Sequence, residues 1–185
     1  ISFTTAAAAA IVVSAANCSI KNCIFSAGFA DVAEAFTLTA VSFTIEDCVF
    51  QDAATSENFI ELFDTGTSDN EVDDLAILNC KWTSPDTACT SVINVDSDID
   101  SLTVHDCYFD LAVNGVLSII AEVAAGKDLT NIDIRRNYGT RLVTASAVGY
   151  ITFVNTTTTN TGVMKDNTWR SLDTAGELYV TAGSN

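Results

Sequence analysis

The chain has 185 residues, 48% of them hydrophobic, with a mean hydropathy of +0.29, which is enough to bury one sizeable core. Its 24 acidic and 8 basic side chains leave a net charge of −16, so nucleic acid and acidic membrane surfaces are repelled rather than held. No run of about 18 apolar residues is present to span a bilayer, and eight Lys and Arg are too few for a basic patch.

The opening stretch, ISFTTAAAAAIVVSA, lacks an initiator Met and a basic n-region, and reads as a chain that starts mid-protein or after processing. From residue 20 a short pattern returns: IKNCIFSA at 20–27, IEDCVFQD at 45–52, ILNCKWTS at 77–84 and VHDCYFDL at 104–111. The same register continues through IRRNYG and MKDNTW, giving a ladder of Cys23, Cys48, Cys80, Cys107, Asn137 and Asn167. Successive spacings of 25, 32, 27, 30 and 30 residues lie in the range of a solenoid repeat.

Columns fall into place around the ladder. Five residues before it stand Cys18, Phe43, Leu75, Leu102, Ile132 and Gly162, and three before it Ile20, Ile45, Ile77, Val104, Ile134 and Met164. Two after it stand Phe25, Phe50, Trp82, Phe109, Gly139 and Trp169. The positions between are mainly polar or small, which is the period-two pleat of strands with one face buried. Parity breaks once, so a corner is required just before the ladder residue. That column holds Asn22, Asp47, Asn79, Asp106, Arg136 and Asp166, rich in the non-glycine residues that best tolerate a left-handed backbone. Its alternation keeps carboxylates out of direct succession.

A third strand follows each ladder residue, in AFTLTAV, NFIELFD, SVINVDS, VLSIIAEV, YITFVN and ELYVTA. Three short strands, one tight corner and two loops of variable length describe one rung. Helical periodicity is not sustained anywhere; GFADVAEAF at 28–36 would put Ala and Glu on a helix's inner side and reads as a loop. The single Pro suits strands that must pair on both sides. The expectation is one all-β domain over residues 1–185, a parallel β-helix of about six rungs and some 30 Å tall at about 4.8 Å per rung.

These columns resemble the right-handed parallel β-helix, the pectin-lyase-like superfold shared by pectate lyases, polygalacturonases, phage tailspikes and several virion proteins. The resemblance covers nearly the whole chain and implies a fold, not an activity. Polygalacturonase-like members carry a Gly-His-Gly and an Arg-Ile-Lys; neither is present here.

Candidate sites are few. His105, the only histidine, sits in an outward column with Lys21, Glu46, Leu78, Arg135 and Lys165, which reads as a solvated polar stripe. The acidic loops 64–74 and 96–100 offer Asp96, Asp98 and Asp100 as a weak calcium set, with loop hydration as the simpler account. Arg135 and Arg136, with Lys127 and Arg141 nearby, read as an ion-pair network or a contact with an acidic neighbour. Tyr108 and Tyr138, outward on adjacent rungs, form a subunit contact or a platform for sugar rings. The six cysteines, Cys18 and Cys89 included, show no Cys-x-x-Cys pair and are expected reduced, as small hydrophobes rather than metal ligands. Asn17 and Asn155 lie in Asn-x-Ser/Thr sequons.

No cofactor is expected. Two functions stay open: a non-catalytic structural or attachment protein of a tailed-phage virion (a capsid decoration or cement protein, or a tail fibre or spike segment), trimeric, at the virion surface; and a polysaccharide lyase or glycoside hydrolase fragment using acids near Asp96, Asp98 and Asp100.

Overall fold

A computed structural model describes residues 1–4, 10–52, 54, 57, 59–66, 72–84, 90–111, 118–122, 127–141, 151–153, 160–171 and 180–182. Cys89 and Asn155 lie outside the described residues.

The described residues form a parallel β-solenoid with no helix, built from three main sheets. One strand of each rung precedes the corner: Cys18–Lys21, Phe43–Glu46, Leu75–Leu78, Leu102–His105, Ile132–Arg135 and Gly162–Lys165 make a six-stranded sheet, here the corner sheet. The strand after the ladder residue supplies the ladder sheet: Ile24–Ala27, Val49–Asp52, Lys81–Ser84, Tyr108–Leu111, Tyr138–Arg141 and Thr168–Ser171, preceded by Ser2–Phe3. A back sheet of seven strands includes Val32–Leu38, Phe59–Asp64, Ser91–Val95 and Ser118–Glu122. A two-stranded piece, Ile99–Asp100 with Leu129–Thr130, sits in the turn before the corner sheet. All these strands pair in parallel, and the registers reproduce the columns, as in Ile45 with Ile77 and Phe25 with Phe50. We number the rungs 1 to 6 by their ladder residues.

The corner column adopts the backbone its chemistry favours. Asn22, Asp47, Asn79, Asp106, Arg136 and Asp166 all have φ between 49° and 59°. The expectation of a single tight corner needs correction, because a second left-handed column opens the corner strands at Asn17, Ser42, Asp74, Ser101 and Asn131. Four-residue strands are therefore clamped between two left-handed residues, and their ends are fixed by backbone geometry. The loop expected over 28–36 is also corrected: Val32–Leu38 is one strand. Two consecutive residues, Ala35 and Phe36, are buried there, so a local bend brings both inside where simple alternation admits one.

The core is aromatic in the first rungs. Phe25 stacks on Phe50 with centroids 5.0 Å apart, and Phe36 on Phe63 at 5.5 Å, with edge contacts between the two pairs. Trp82 and Phe109 continue the same inward column, fully buried. At rung 6 this ends: Val163 and Met164 are 46% and 45% exposed, although Met164 stands in an inward column. Gly162 fits there because a Cβ would lie 2.3 Å from the Ile132 carbonyl oxygen.

Candidate functional site

At each corner the backbone turns out of the sheet, and its polar groups need partners other than strand neighbours. The ladder side chain supplies them. The Cys107 N–H donates to Asn137 Oδ1 at 2.9 Å, and the Asn137 N–H donates to Asn167 Oδ1 at 2.9 Å. In the other direction Asn137 Nδ2 donates to the Val104 carbonyl at 2.7 Å, and Asn167 Nδ2 to the Ile134 carbonyl at 2.8 Å. Each residue thus caps two backbone groups of the preceding rung, one as donor and one as acceptor.

Cysteine performs the same task more weakly. The Cys23 N–H donates to Cys48 Sγ and the Cys80 N–H to Cys107 Sγ, both at 3.4 Å. Cys107 Sγ lies 3.5 Å from the Ile77 carbonyl, the counterpart of the Asn137 contact with Val104. A thiol is both a weak donor and a weak acceptor, which is why Cys at rungs 1 to 4 and Asn at rungs 5 and 6 serve in one column. The described cysteines are free thiols. Burial pushes the Cys80 and Cys107 thiols up to about 12, so neither is a nucleophile at neutral pH. The ladder is a folding device.

The outward polar columns pair along the solenoid axis. Lys21 pairs with Glu46, Asn79 Nδ2 donates to Asp47 Oδ1 at 2.5 Å, and Gln51 Nε2 to Ser26 Oγ at 2.9 Å. Arg136 grips Asp106 with two bonds of 2.8 and 2.7 Å, and Thr140 donates to Asp110 at 2.8 Å. The Arg136 bond, with its charge behind it, holds Asp106 below the usual carboxylate range. Arg135 and His105 both face Asp133, at 2.5 and 3.2 Å. Arg135 and Arg136 thus face different carboxylates, Asp133 and Asp106.

The Asp96, Asp98 and Asp100 set is divided. Asp98 and Asp100 line a hollow of about 290 Å³ with Asp73, Asp128, Ile99 and Thr130. Their oxygens accept rung-to-rung bonds: Asp128 N–H to Asp98 at 2.8 Å, and Thr130 Oγ1 and Asn131 Nδ2 to Asp100, both at 2.7 Å. Those two side-chain bonds hold Asp100 below its ordinary range. Asp96 faces elsewhere, toward Asp64 and Lys127, and is raised by burial and then by Asp64. Among the described residues, no group of three or more His, Cys, Asp or Glu is placed to hold a metal ion.

Tyr108 and Tyr138 stack with centroids 5.2 Å apart and planes 9° from parallel, and Lys81 Nζ lies 5.3 Å over the outer Tyr108 face. The Tyr108 ring thus has a neighbour over each face.

One cluster was not visible in the sequence. Glu34 and Glu61 are register partners on the back sheet, with Asp64 beside them in register with Thr37. Glu34 accepts from Thr37 at 2.6 Å, and Glu61 accepts from Thr90 at 3.2 Å. Burial first, then the neighbouring carboxylates, raise Glu34 and push Glu61 up to about 7. The signal lay in aligning VAEAF with FIELF, which the loop reading of 28–36 prevented.

The geometry defines a class, a parallel β-solenoid whose corners and faces are tied rung to rung. No family model, no curated protein and no solved structure matches the chain.

Proposed function

We propose that the chain is a non-catalytic structural or attachment module, and specifically a homotrimeric surface protein of a tailed-phage virion, either a capsid decoration (cement) protein or a tail fibre or spike segment. The observation that carries the non-catalytic reading is the use of the outward polar side chains as axial struts. Lys21–Glu46, Asp47–Asn79, Asp106–Arg136, Asp110–Thr140 and Asp100–Thr130 join successive rungs. Groups so engaged tie rung to rung and are not poised for proton transfer. The virion and trimer assignments rest on the resemblance of the residue columns. Oligomeric mass in solution, together with immunogold location in native particles, tests the reading. A monomer that releases unsaturated oligosaccharides from an acidic polysaccharide overturns it.

One observation favours polysaccharide cleavage. Glu61 is pushed up to about 7, first by burial and then by Asp64 and Glu34 nearby, and a carboxyl raised in this way suits a general acid. Loss of such cleavage in Glu61→Gln, with the fold intact, would establish this second reading.

A further inference from the structure

The charges of this −16 chain are unevenly placed. The outward columns of the ladder sheet, from Ile24 and Ser26 to Thr168 and Arg170, hold two cations, Lys81 and Arg170, against one carboxylate, Asp110. The turn before the corner sheet holds five carboxylates, Asp73, Asp74, Asp98, Asp100 and Asp128. The ladder-sheet strip also presents exposed apolar surface, with Ile24 at 56% and Tyr108 at 38%.

We propose that the Lys81–Tyr108–Tyr138 strip docks against the acidic turn of a second copy lying alongside it, axes parallel and rungs level. The contact deepens the homo-oligomer proposed above and rests on that reading. Its first support is sign. A strip of net positive charge is a place where a second strongly acidic chain approaches with less repulsion, and the carboxylate-lined hollow is its complement.

Its second support is spacing. Lys81, Tyr108 and Tyr138 stand on rungs 3, 4 and 5 in direct register. On the turn, Asp73 precedes rung 3, Asp98 and Asp100 precede rung 4, and Asp128 precedes rung 5, also in register through Ile99 with Leu129 and Asp100 with Thr130. Donors and acceptors therefore repeat at one interval, the strand spacing of about 4.8 Å. An ammonium and two phenol hydroxyls meet carboxylates on the same three levels. The tyrosine stack suits this use because Tyr108 has a neighbour over each face and is still 38% exposed.

The two patches differ, so the contact is heterologous: it closes into a ring or runs on as a filament, according to the rotation between copies. That gives a sharp test. Tyr108→Glu spoils the strip and leaves the turn; Asp128→Lys spoils the turn and leaves the strip. Light scattering of the full chain at 50 mM salt should give an oligomer for the native protein and a monomer for each variant. An equimolar mixture of the two variants should double the mass and stop at a dimer. Native oligomers should also dissociate at 1 M salt, where charges are screened beyond about 3 Å.

Circular dichroism and melting confirm that each variant folds, and Lys81→Glu serves as a second strip variant. If Tyr108→Glu and Lys81→Glu keep the native mass, this interface is wrong and the oligomer stands. A native monomer at 100 μM removes both the interface and the oligomeric reading. A native monomer whose glycan-array binding is lost in Tyr108→Glu makes the strip a ligand site instead.

Discussion

Rungs 1 to 3 and rungs 4 to 5 perform the same backbone task with different chemistry. The corners of rungs 1 to 3 receive the thiols of Cys48, Cys80 and Cys107 from the following rung, beside the buried Phe25, Phe50 and Trp82. The corners of rungs 4 and 5 receive Asn137 and Asn167, with amide bonds of 2.7 to 2.9 Å in place of N–H to sulfur contacts of 3.4 Å. Rung 4 still buries an inward aromatic, Phe109, while rung 5 has Gly139 in that column. The difference teaches that one corner geometry accepts a thiol or an amide cap, and accepts the amide with or without an aromatic beside it.

Four measurements break or sharpen this contrast. Phe50→Ala removes a fully buried ring that contacts Phe25, Phe36, Phe59 and Phe63, and should destabilise by about 3–5 kcal/mol in chemical denaturation. A loss below about 1 kcal/mol would show that the early rungs do not depend on their aromatic core. Asn137→Leu keeps the volume and leaves the Cys107 N–H and the Val104 carbonyl without their caps, at a cost of about 2–4 kcal/mol. The partner experiment, Cys107→Asn, should be neutral or stabilising by up to about 1 kcal/mol; a loss as large as that of Asn137→Leu would mean the two caps are not equivalent.

The third concerns protons. Glu61 is raised from 4.5 in the unfolded chain to about 7 in the fold, so the folded state holds the proton more tightly between these limits. The stability this group contributes is fully present below about pH 4.5 and is lost as pH rises through about 7. For this half-buried group the change is about 1–2 kcal/mol after discounting for solvent screening. Glu61→Gln should flatten the melting profile over that window and raise the melting temperature at pH 8. An unchanged slope would remove Glu61 as its source.

The smallest effect is expected at Arg136. Arg136→Gly relieves a left-handed backbone at φ 54° but loses the exposed bidentate bond to Asp106. The two effects oppose one another and should nearly cancel, leaving the denaturation midpoint almost unchanged.

The ladder, the corner column and the parity of the strands were legible because each is written in a narrow set of residue types at one offset. The second corner was not, since Asn17, Ser42, Asp74, Ser101 and Asn131 mix Ser with Asx directly before a strand, a combination common in any loop. Val32–Leu38 was misread because its bend buries Ala35 and Phe36 in succession and defeats alternation. The division of Asp96 from Asp98 and Asp100 depends on side-chain directions in a turn, which no spacing encodes. The carboxyl cluster gathers residues from strands 27 positions apart and becomes visible only once both strands are in register.

The bonds between rungs have a mechanical meaning. Backbone ladders, corner caps and outward struts all run along the axis, while the covalent chain runs across it. A pull along the axis therefore loads one rung junction at a time, and the solenoid should unzip in small steps from rung 6, where Val163 and Met164 are exposed. A sideways pull acts along the strands and must shear many junctions at once. The molecule is thus stiff across its width and yielding along its length.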